Sequence, residues 1–299
     1  MVQRKHVLPE DVAAAQKELQ GEFPKLTFIS KLGDGDDAFW ERFMRKGEAP
    51  LSLAGLIRSI LDPFLEKAEK LGVITVDLTS DGAGEEKDLA SKGIRVNIDG
   101  KEPPSGKDPR PFGLNHVYRR KGSQLVAHIE QAVAPNRGRE LFHNSLLPLF
   151  DSLGVSRISL RASASGGSNE GVFAWARYGF VPRQEDWDRM REEGRDLPSS
   201  RMKKLGPAGN SLRKIWEDDA PVAMRRMVYL AWEHRGEVQA VVNKVMGWPW
   251  NGELDLTDEA SRTWIEKYTN REDWKTFRDL LPEEPVTEPS TQRQTCTLT

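Results

Sequence analysis

Three side chains that can accept a proton fall within one predicted hairpin. His128 and Glu130 alternate along one strand, so their side chains would share a face, and His116 lies on the strand that pairs with it. An imidazole or a carboxylate beside an amine can remove its proton, directly or through water, so His128 and Glu130 are candidate catalytic bases. A second interpretation stays open, in which these residues face solvent or pair across the strands.

Two short segments mark the ends of predicted helices that follow strands. The first runs from Val133 to Arg139 and enters a helix, and the second runs from Ala176 to Pro182 and leaves one. The start of a helix carries unpaired N–H groups and the positive end of the helix dipole. The first segment is therefore a strand-to-helix boundary with unpaired main-chain donors at the helix start.

The elements around these segments follow from hydrophobic periodicity. Apolar residues at helical spacing predict a buried helix from Leu53 to Ala68. The β-branched runs 73–78 and 94–98, with a shorter one at 26–29, predict strands. The predicted hairpin joins 115–120 to 124–133 through the turn 121–123. A helix containing Pro148, which predicts a kink, a strand at 157–162, a Ser/Gly loop and a helix through Trp175 complete the series.

This order of elements, with its two boundary segments, resembles the core of GNAT-type N-acyltransferases over residues 50 to 183. The resemblance implies an α/β (α+β) fold, with a mixed, mostly antiparallel, splayed sheet flanked by helices, to which this chain adds a helical C-terminal extension. It implies transfer of an acyl group from acetyl-CoA, or a related acyl thioester, to an amine. In that family two neighbouring strands part, and the pantetheine arm pairs with the exposed strand.

The resemblance also assigns binding roles to particular positions. Val133 and Ala134 would offer main-chain groups to pantetheine, and Arg137, Gly138 and Arg139 would hold the phosphates. Three positions depart from the family pattern. Glu140 and Phe142 replace small residues, and Trp175 stands where the family often has a tyrosine that protonates the thiolate. An indole cannot act as a general acid, and the loop serines Ser163, Ser165 and Ser168 are possible substitutes.

Composition limits the remaining functions. The formal charge is -2, the lone cysteine is Cys296, and no apolar run reaches the roughly 18 residues of a membrane span. We therefore expect a cytoplasmic protein with no membrane partner. No His-x-x-x-His or Cys-x-x-Cys pattern suggests a metal.

The chain divides into four predicted parts. Residues 1–50 form an N-terminal helical segment, 51–183 the GNAT-like core, 184–281 a Trp-rich helical extension with a linker at 194–210 and a turn at 248–252, and 282–299 a disordered tail. Five tryptophans fall within one stretch of the extension; they are Trp216, Trp232, Trp248, Trp250 and Trp264. They are expected to anchor a helical core.

Two alternatives to catalysis stay open. In the first, the chain is an inactive GNAT-like scaffold, similar to accessory proteins of phages or mobile elements, that binds a protein partner through exposed tryptophans of the extension. In the second, a nucleic-acid partner is bound by basic residues near the proposed site. These basic residues are Arg119, Arg120, Lys121, Arg137 and Arg139.

Overall fold

The computed structural model describes most of the chain after residue 110 and parts of it before. The described residues are 17–18, 21, 26–30, 74–82, 92–101, 111–121, 124–133, 139, 142–152, 154–162 and 170–283. The predicted helix at 53–68, most of the predicted N-terminal segment and the predicted tail after Glu283 lie outside them.

Within the described residues, eight strands form one mixed sheet in the order β1-β2-β3-β4-β5-β6-β8-β7. The pairs β1–β2 and β5–β6 are parallel, and the other neighbours are antiparallel. The predicted strands and hairpin are confirmed, with longer bounds for most of them. The strands are β1 (Leu26–Ser30), β2 (Ile74–Gly82), β3 (Lys92–Lys101), β4 (Pro111–Lys121), β5 (Gln124–Val133), β6 (Val155–Ala162), β7 (Val181–Pro182) and β8 (Trp250–Asp255).

Helices pack against this sheet, which confirms the predicted fold class of a mixed sheet flanked by helices. The α-helices after β5 are α1 (Leu147–Ser152), α2 (Glu170–Arg177), α3 (Gln184–Arg195), α4 (Ser199–Lys204), α5 (Pro207–Glu217), α6 (Met224–Glu233), α7 (Glu237–Val245) and α8 (Glu259–Thr269). A π-helix (Phe142–Leu146) precedes α1, and 3₁₀ turns span Pro221–Ala223 and Trp274–Leu280. The change from π to α geometry falls just before Pro148, where the predicted kink was placed.

The predicted linker at 194–210 is wrong, because most of it is helical. Pro207 occupies the first turn of α5, where its missing N–H costs nothing. Leu212, Ile215 and Trp216 then recur at helical spacing and are buried. The Gly, Pro and Ser content of this stretch therefore marks the ends of short helices.

The predicted turn at 248–252 is also wrong in its second half, which begins β8. Trp250, Gly252 and Leu254 alternate as buried residues along this strand, as expected where one face packs on a core. Since β8 lies between β6 and β7, the extension contributes a strand to the same sheet as the core. The extension is thus mainly helical.

The hydrophobic core lies between one face of the sheet and these helices. Ala127, Ile158 and Leu254 lie side by side in register across β5, β6 and β8, and all three are buried. Of the five tryptophans expected to anchor the core, Trp216, Trp250 and Trp264 are fully buried, which confirms the expectation for them, whereas Trp248 is exposed and contradicts it. Trp232 is partly buried and stacks on Trp264.

Gly179 joins α2 to β7 at a point of close contact. Its φ of +92° lies in the region that favours glycine, and a Cβ there would be 2.6 Å from Cδ1 of Trp264. Gly154, which follows α1, has a φ of +64° but has no atom within 4 Å of its ideal Cβ.

We predict that Gly179→Ala lowers the free energy of unfolding by about 1–3 kcal/mol more than Gly154→Ala does, because only the first forces the Trp264 ring to move. Gly154→Ala, which carries backbone strain alone, should cost about 1–2 kcal/mol. Urea denaturation of both variants measures the difference. Equal losses would show that the Gly179–Trp264 contact is not tight.

Candidate functional site

Strands β5 and β6 run side by side and then part. Their register extends from Leu125 opposite Val155 to Ile129 opposite Leu160. Beyond that point β5 continues to Val133 in register with β4, while β6 continues to Ala162 in register with β8. The space between residues 130–133 and 161–162 is called the β5–β6 gap below.

A β-bulge lies where the gap begins. His116 of β4 is opposite Ile129, but the next residue along β4, Asn115, is opposite Gln131. Glu130 is therefore the extra residue of the bulge. A bulge bends its strand and increases its twist, which gives a local reason for β5 to leave β6 at this residue.

His128 lies beside the start of the gap. It is in register with Ser159 of β6, one residue before the last paired position, and its Nδ1 is 2.9 Å from Oγ of Ser159. His128 and Ser159 are half-buried, and Glu130 is exposed. Both candidate bases thus lie at the start of the gap. Ser159 was not singled out from the sequence, although its place in the alternating run 157–162 signals that it shares a face with Arg157.

His116 does not belong with His128, contrary to the interpretation that groups the two histidines. Residues opposite each other point to the same face, and His116 is opposite Ile129 whereas His128 is opposite Val117. His116 is fully buried, meets the Tyr118 ring edge-on at 5.0 Å between centroids, and has no hydrogen bond to either ring nitrogen. Burial lowers its pKa to about 3, so the imidazole is neutral near pH 7.

An aromatic cluster fills the space between the π-helix, α2 and α8. The Phe142 ring, at the start of the π-helix, is buried 4.6 Å from Tyr178 and 5.8 Å from Trp175. Tyr268 of α8 meets Tyr178 at 4.7 Å. The Phe142 side chain is thus directed into the core.

Helix α8 is held against α1 by a charged contact. Arg262 donates hydrogen bonds to both carboxylate oxygens of Asp151, at 2.6 Å and 2.5 Å, and a third to Glu266 at 2.8 Å. The two bonds to Asp151 fix the direction of the guanidinium as well as its distance. This contact helps to place Tyr268 beside Tyr178.

Two arginines without a carboxylate partner in the described part of the chain lie around Tyr178. The Arg139 guanidinium lies 4.2 Å from the ring centroid of Tyr268, and that of Arg177 lies 4.7 Å from the ring centroid of Phe173. Burial, with help from Tyr268, raises the pKa of Tyr178, and the charges of Arg139 and Arg177 act in the opposite direction. We call Arg139 and Arg177 the arginine pair.

Of the other residues assigned to thioester binding, the structure describes only Val133. Val133 ends β5 opposite Gly113 of β4. Ala134, Arg137, Gly138 and the departure Glu140 lie outside the described residues, as do the serines of the 163–169 loop. Arg177 was missed by sequence reasoning, because nothing local distinguishes it from other surface arginines.

Two of the basic residues proposed for nucleic acid, Arg119 and Arg139, lie toward opposite ends of the β4–β5 hairpin. Arg119 lies near the hairpin end of β4, whereas Arg139 follows the opposite end of β5. A ten-residue strand separates these ends, or about 30 Å at 3.3 Å per residue.

The described residues also line a surface cavity but hold no metal site. Among them no three His, Cys, Asp or Glu side chains lie close enough together to hold a metal ion. No helix among them is long and apolar enough to cross a membrane. A surface cavity of about 370 Å³ lies between α4 and α7, lined in part by Arg201, Lys204 and Glu237. None of its lining residues belongs to β5 or β6, so it is separate from the gap.

Comparison with known proteins gives no relative: no protein-family model, no curated protein and no solved structure matches this chain significantly.

We predict that His116 makes stability depend on pH. The folded protein keeps this imidazole neutral down to about pH 3, whereas the unfolded chain protonates it near pH 6.5. The unfolded state therefore binds more protons between these values, and the free energy of unfolding falls as pH is lowered through this window, by up to about 1.4 kcal/mol per pH unit.

The measurement is urea denaturation of the wild type and of His116→Gln between pH 7 and pH 4. The variant should show a shallower slope, whatever its absolute stability. His234→Gln, which removes a half-exposed histidine, is the matched control and should keep the wild-type slope. An unchanged slope in His116→Gln would mean that His116 is protonated in the folded state.

Proposed function

We propose that the chain is an N-acyltransferase that transfers an acyl group from acetyl-CoA, or a related acyl thioester, to an amine within the β5–β6 gap. The observation that carries this proposal is the end of β5–β6 pairing at Ile129 and Leu160, while both strands continue. A strand edge without a neighbouring strand can pair with an extended ligand that carries amide groups. The pantetheine arm is such a ligand.

The arginine pair fits the other end of the donor. Phosphate is held well by guanidinium groups, which can donate two parallel hydrogen bonds to one anion. Arg139 and Arg177 make no salt bridge in the described part of the chain, and aromatic rings cover one face of each. Their charge is therefore available to an anionic ligand.

The reaction requires a group that accepts the proton of the amine, and the candidate bases lie at the start of the gap. A bound thioester supplies an activated carbonyl carbon. His128, with Ser159 bonded at Nδ1, or Glu130 in the bulge accepts the proton of the attacking amine as the C–N bond replaces the C–S bond. Tyr178 keeps its proton at neutral pH because burial raises its pKa, and its ring lies 5.7 Å from that of Trp175, the residue at the position where the family often has its tyrosine. It is our candidate for returning a proton to the departing thiolate.

We predict that acetyl-CoA binds the full chain and that Arg139→Ala and Arg177→Ala each weaken binding about tenfold, the loss expected for one charge-assisted contact. Isothermal titration calorimetry measures the three dissociation constants. Arg213→Ala, which removes an exposed arginine of α5, is the control and should bind like the wild type.

Absence of heat and of any thermal shift at millimolar acetyl-CoA would discard the acyltransferase proposal and leave the protein-binding alternative. Binding that all three arginine variants reduce equally would show general attraction to positive charge, with no site at the arginine pair.

We predict that the bases act in turnover and not in donor binding. His128→Ala and Glu130→Gln should lower kcat at least tenfold, if general base catalysis supplies its usual share of the rate, and should leave the dissociation constant of acetyl-CoA unchanged. Thiol release during transfer to a panel of primary amines measures kcat. Ser159→Ala should have a smaller effect, because it removes a contact that orients His128 and leaves the imidazole in place. Full activity in both base variants would show that another group accepts the proton.

A further inference from the structure

Trp248 differs from the tryptophans that build the core. Its side chain is 59% exposed, and it is the exposed large hydrophobic residue of the described ranges. Trp250, two positions later, is fully buried. A single exposed tryptophan has no meaning by itself, because large apolar side chains occur singly on many surfaces. Two further observations concern Trp248: hydrogen bonds hold the turn that carries it, and this turn lies beyond the carboxyl end of β6.

The turn that carries Trp248 is fixed to helix α3. Arg189 donates a hydrogen bond to the carbonyl oxygen of Pro249 at 3.0 Å. Asp186 accepts one from the main-chain N–H of Asn251 at 2.8 Å and is itself bonded to Arg189 at 2.9 Å. The backbone on the C-terminal side of Trp248 is thus held by side chains and by the burial of Trp250. An aromatic ring on a fixed turn loses little conformational entropy when it binds a ligand.

The position of this turn follows from the strand register. Trp250 is opposite Ala162, the last residue of β6, so the chain before Trp250 lies beyond the carboxyl end of β6. The β5–β6 gap opens toward that same end, because β5 and β6 are parallel. Ser159, beside His128, is three residues before Ala162, or about 10 Å at 3.3 Å per residue.

We propose that Trp248 binds the part of the acyl acceptor that is remote from its reacting nitrogen. This inference rests on the proposed function, since it places the amine at His128. An acceptor that reaches both points must be elongated, with an apolar or aromatic group at least about 10 Å from its amine. Stacking or apolar contact with the indole supplies the affinity. Trp248 is a specificity-determining residue and takes no part in proton transfer.

Two amines that share a primary amine group and an alkyl chain test the proposal. In dansylcadaverine an alkyl chain separates a primary amine from a naphthalene ring system, and n-pentylamine has the same chain without the rings. With acetyl-CoA as donor, Trp248→Ala should raise the KM for dansylcadaverine about tenfold and leave the KM for n-pentylamine and the dissociation constant of acetyl-CoA unchanged. Trp248→Phe, which keeps an aromatic ring, should restore most of the loss. Equal effects on both amines, or none, would overturn the proposal.

A second measurement separates this inference from the proposed function. Dansyl fluorescence reports binding without any donor, so it can be titrated with the full chain even if no acyl transfer is seen. Weaker binding of dansylcadaverine to Trp248→Ala than to the wild type would uphold the contact whether or not the chain transfers acyl groups. Identical titrations, or no binding to the wild type, would overturn it.

Discussion

The main-chain hydrogen bonds of β5 and β6 determine where the β5–β6 gap begins. Buried N–H and C=O groups must find partners, and up to Ile129 and Leu160 the two strands provide them for each other. After that point β4 provides hydrogen-bond partners for β5, and β8 provides them for β6. Each strand therefore has one edge paired with a neighbouring strand and one edge that faces the gap. The bulge at Glu130 is where β5 changes direction, and it also brings a carboxylate to the start of the gap. In the proposed function, these facing edges are what the extended ligand pairs with.

The C-terminal extension is what gives β6 its second neighbour. A sheet that ended at β6 would leave that strand without a hydrogen-bonded neighbour from Arg157 to Ala162 on its far side. β8 is in turn fixed by Asp186 of α3 and by the burial of Trp250, which lies over the space that Gly252 leaves free. Helix α8, tied to α1 through Arg262, places Tyr268 under the Arg139 guanidinium. The extension therefore supplies both the outer support of the gap and one ring of the site.

Local patterns in the sequence predict the strands and longer helices because side-chain periodicity is a local property. Alternation identified the hairpin of β4 and β5, and the helix predicted through Trp175 is α2. Composition gave wrong predictions where Gly, Pro and Ser lie at or within helices and strands. Pro207 begins α5, inside the predicted linker, and Pro249 and Gly252 flank the first residues of β8, inside the predicted turn. The site was predictable only in part. His128 and Glu130 belong to one strand, whereas Ser159 reaches His128 through strand pairing and Tyr268 reaches Tyr178 through helix packing, and no local pattern encodes such contacts between distant segments.

The surroundings of individual arginines distinguish structural charge from charge that can serve a ligand. Arg157 and Arg183 both lie within 3.4 Å of Glu253, and Arg262 is bonded to Asp151 and Glu266, so their charges are matched within the protein. Arg139 and Arg177 are covered by the rings of Tyr268 and Phe173 instead. A ring face stabilises a cation without neutralising it, because its attraction comes from a quadrupole and carries no net charge. Two such cations near one buried phenol repel each other, and an anion placed between them relieves that repulsion. The departures at Glu140 and Phe142 remove small residues from the turn that the resemblance assigns to phosphate, and in the proposed function the charge of the arginine pair takes the place of closely approached main-chain amides.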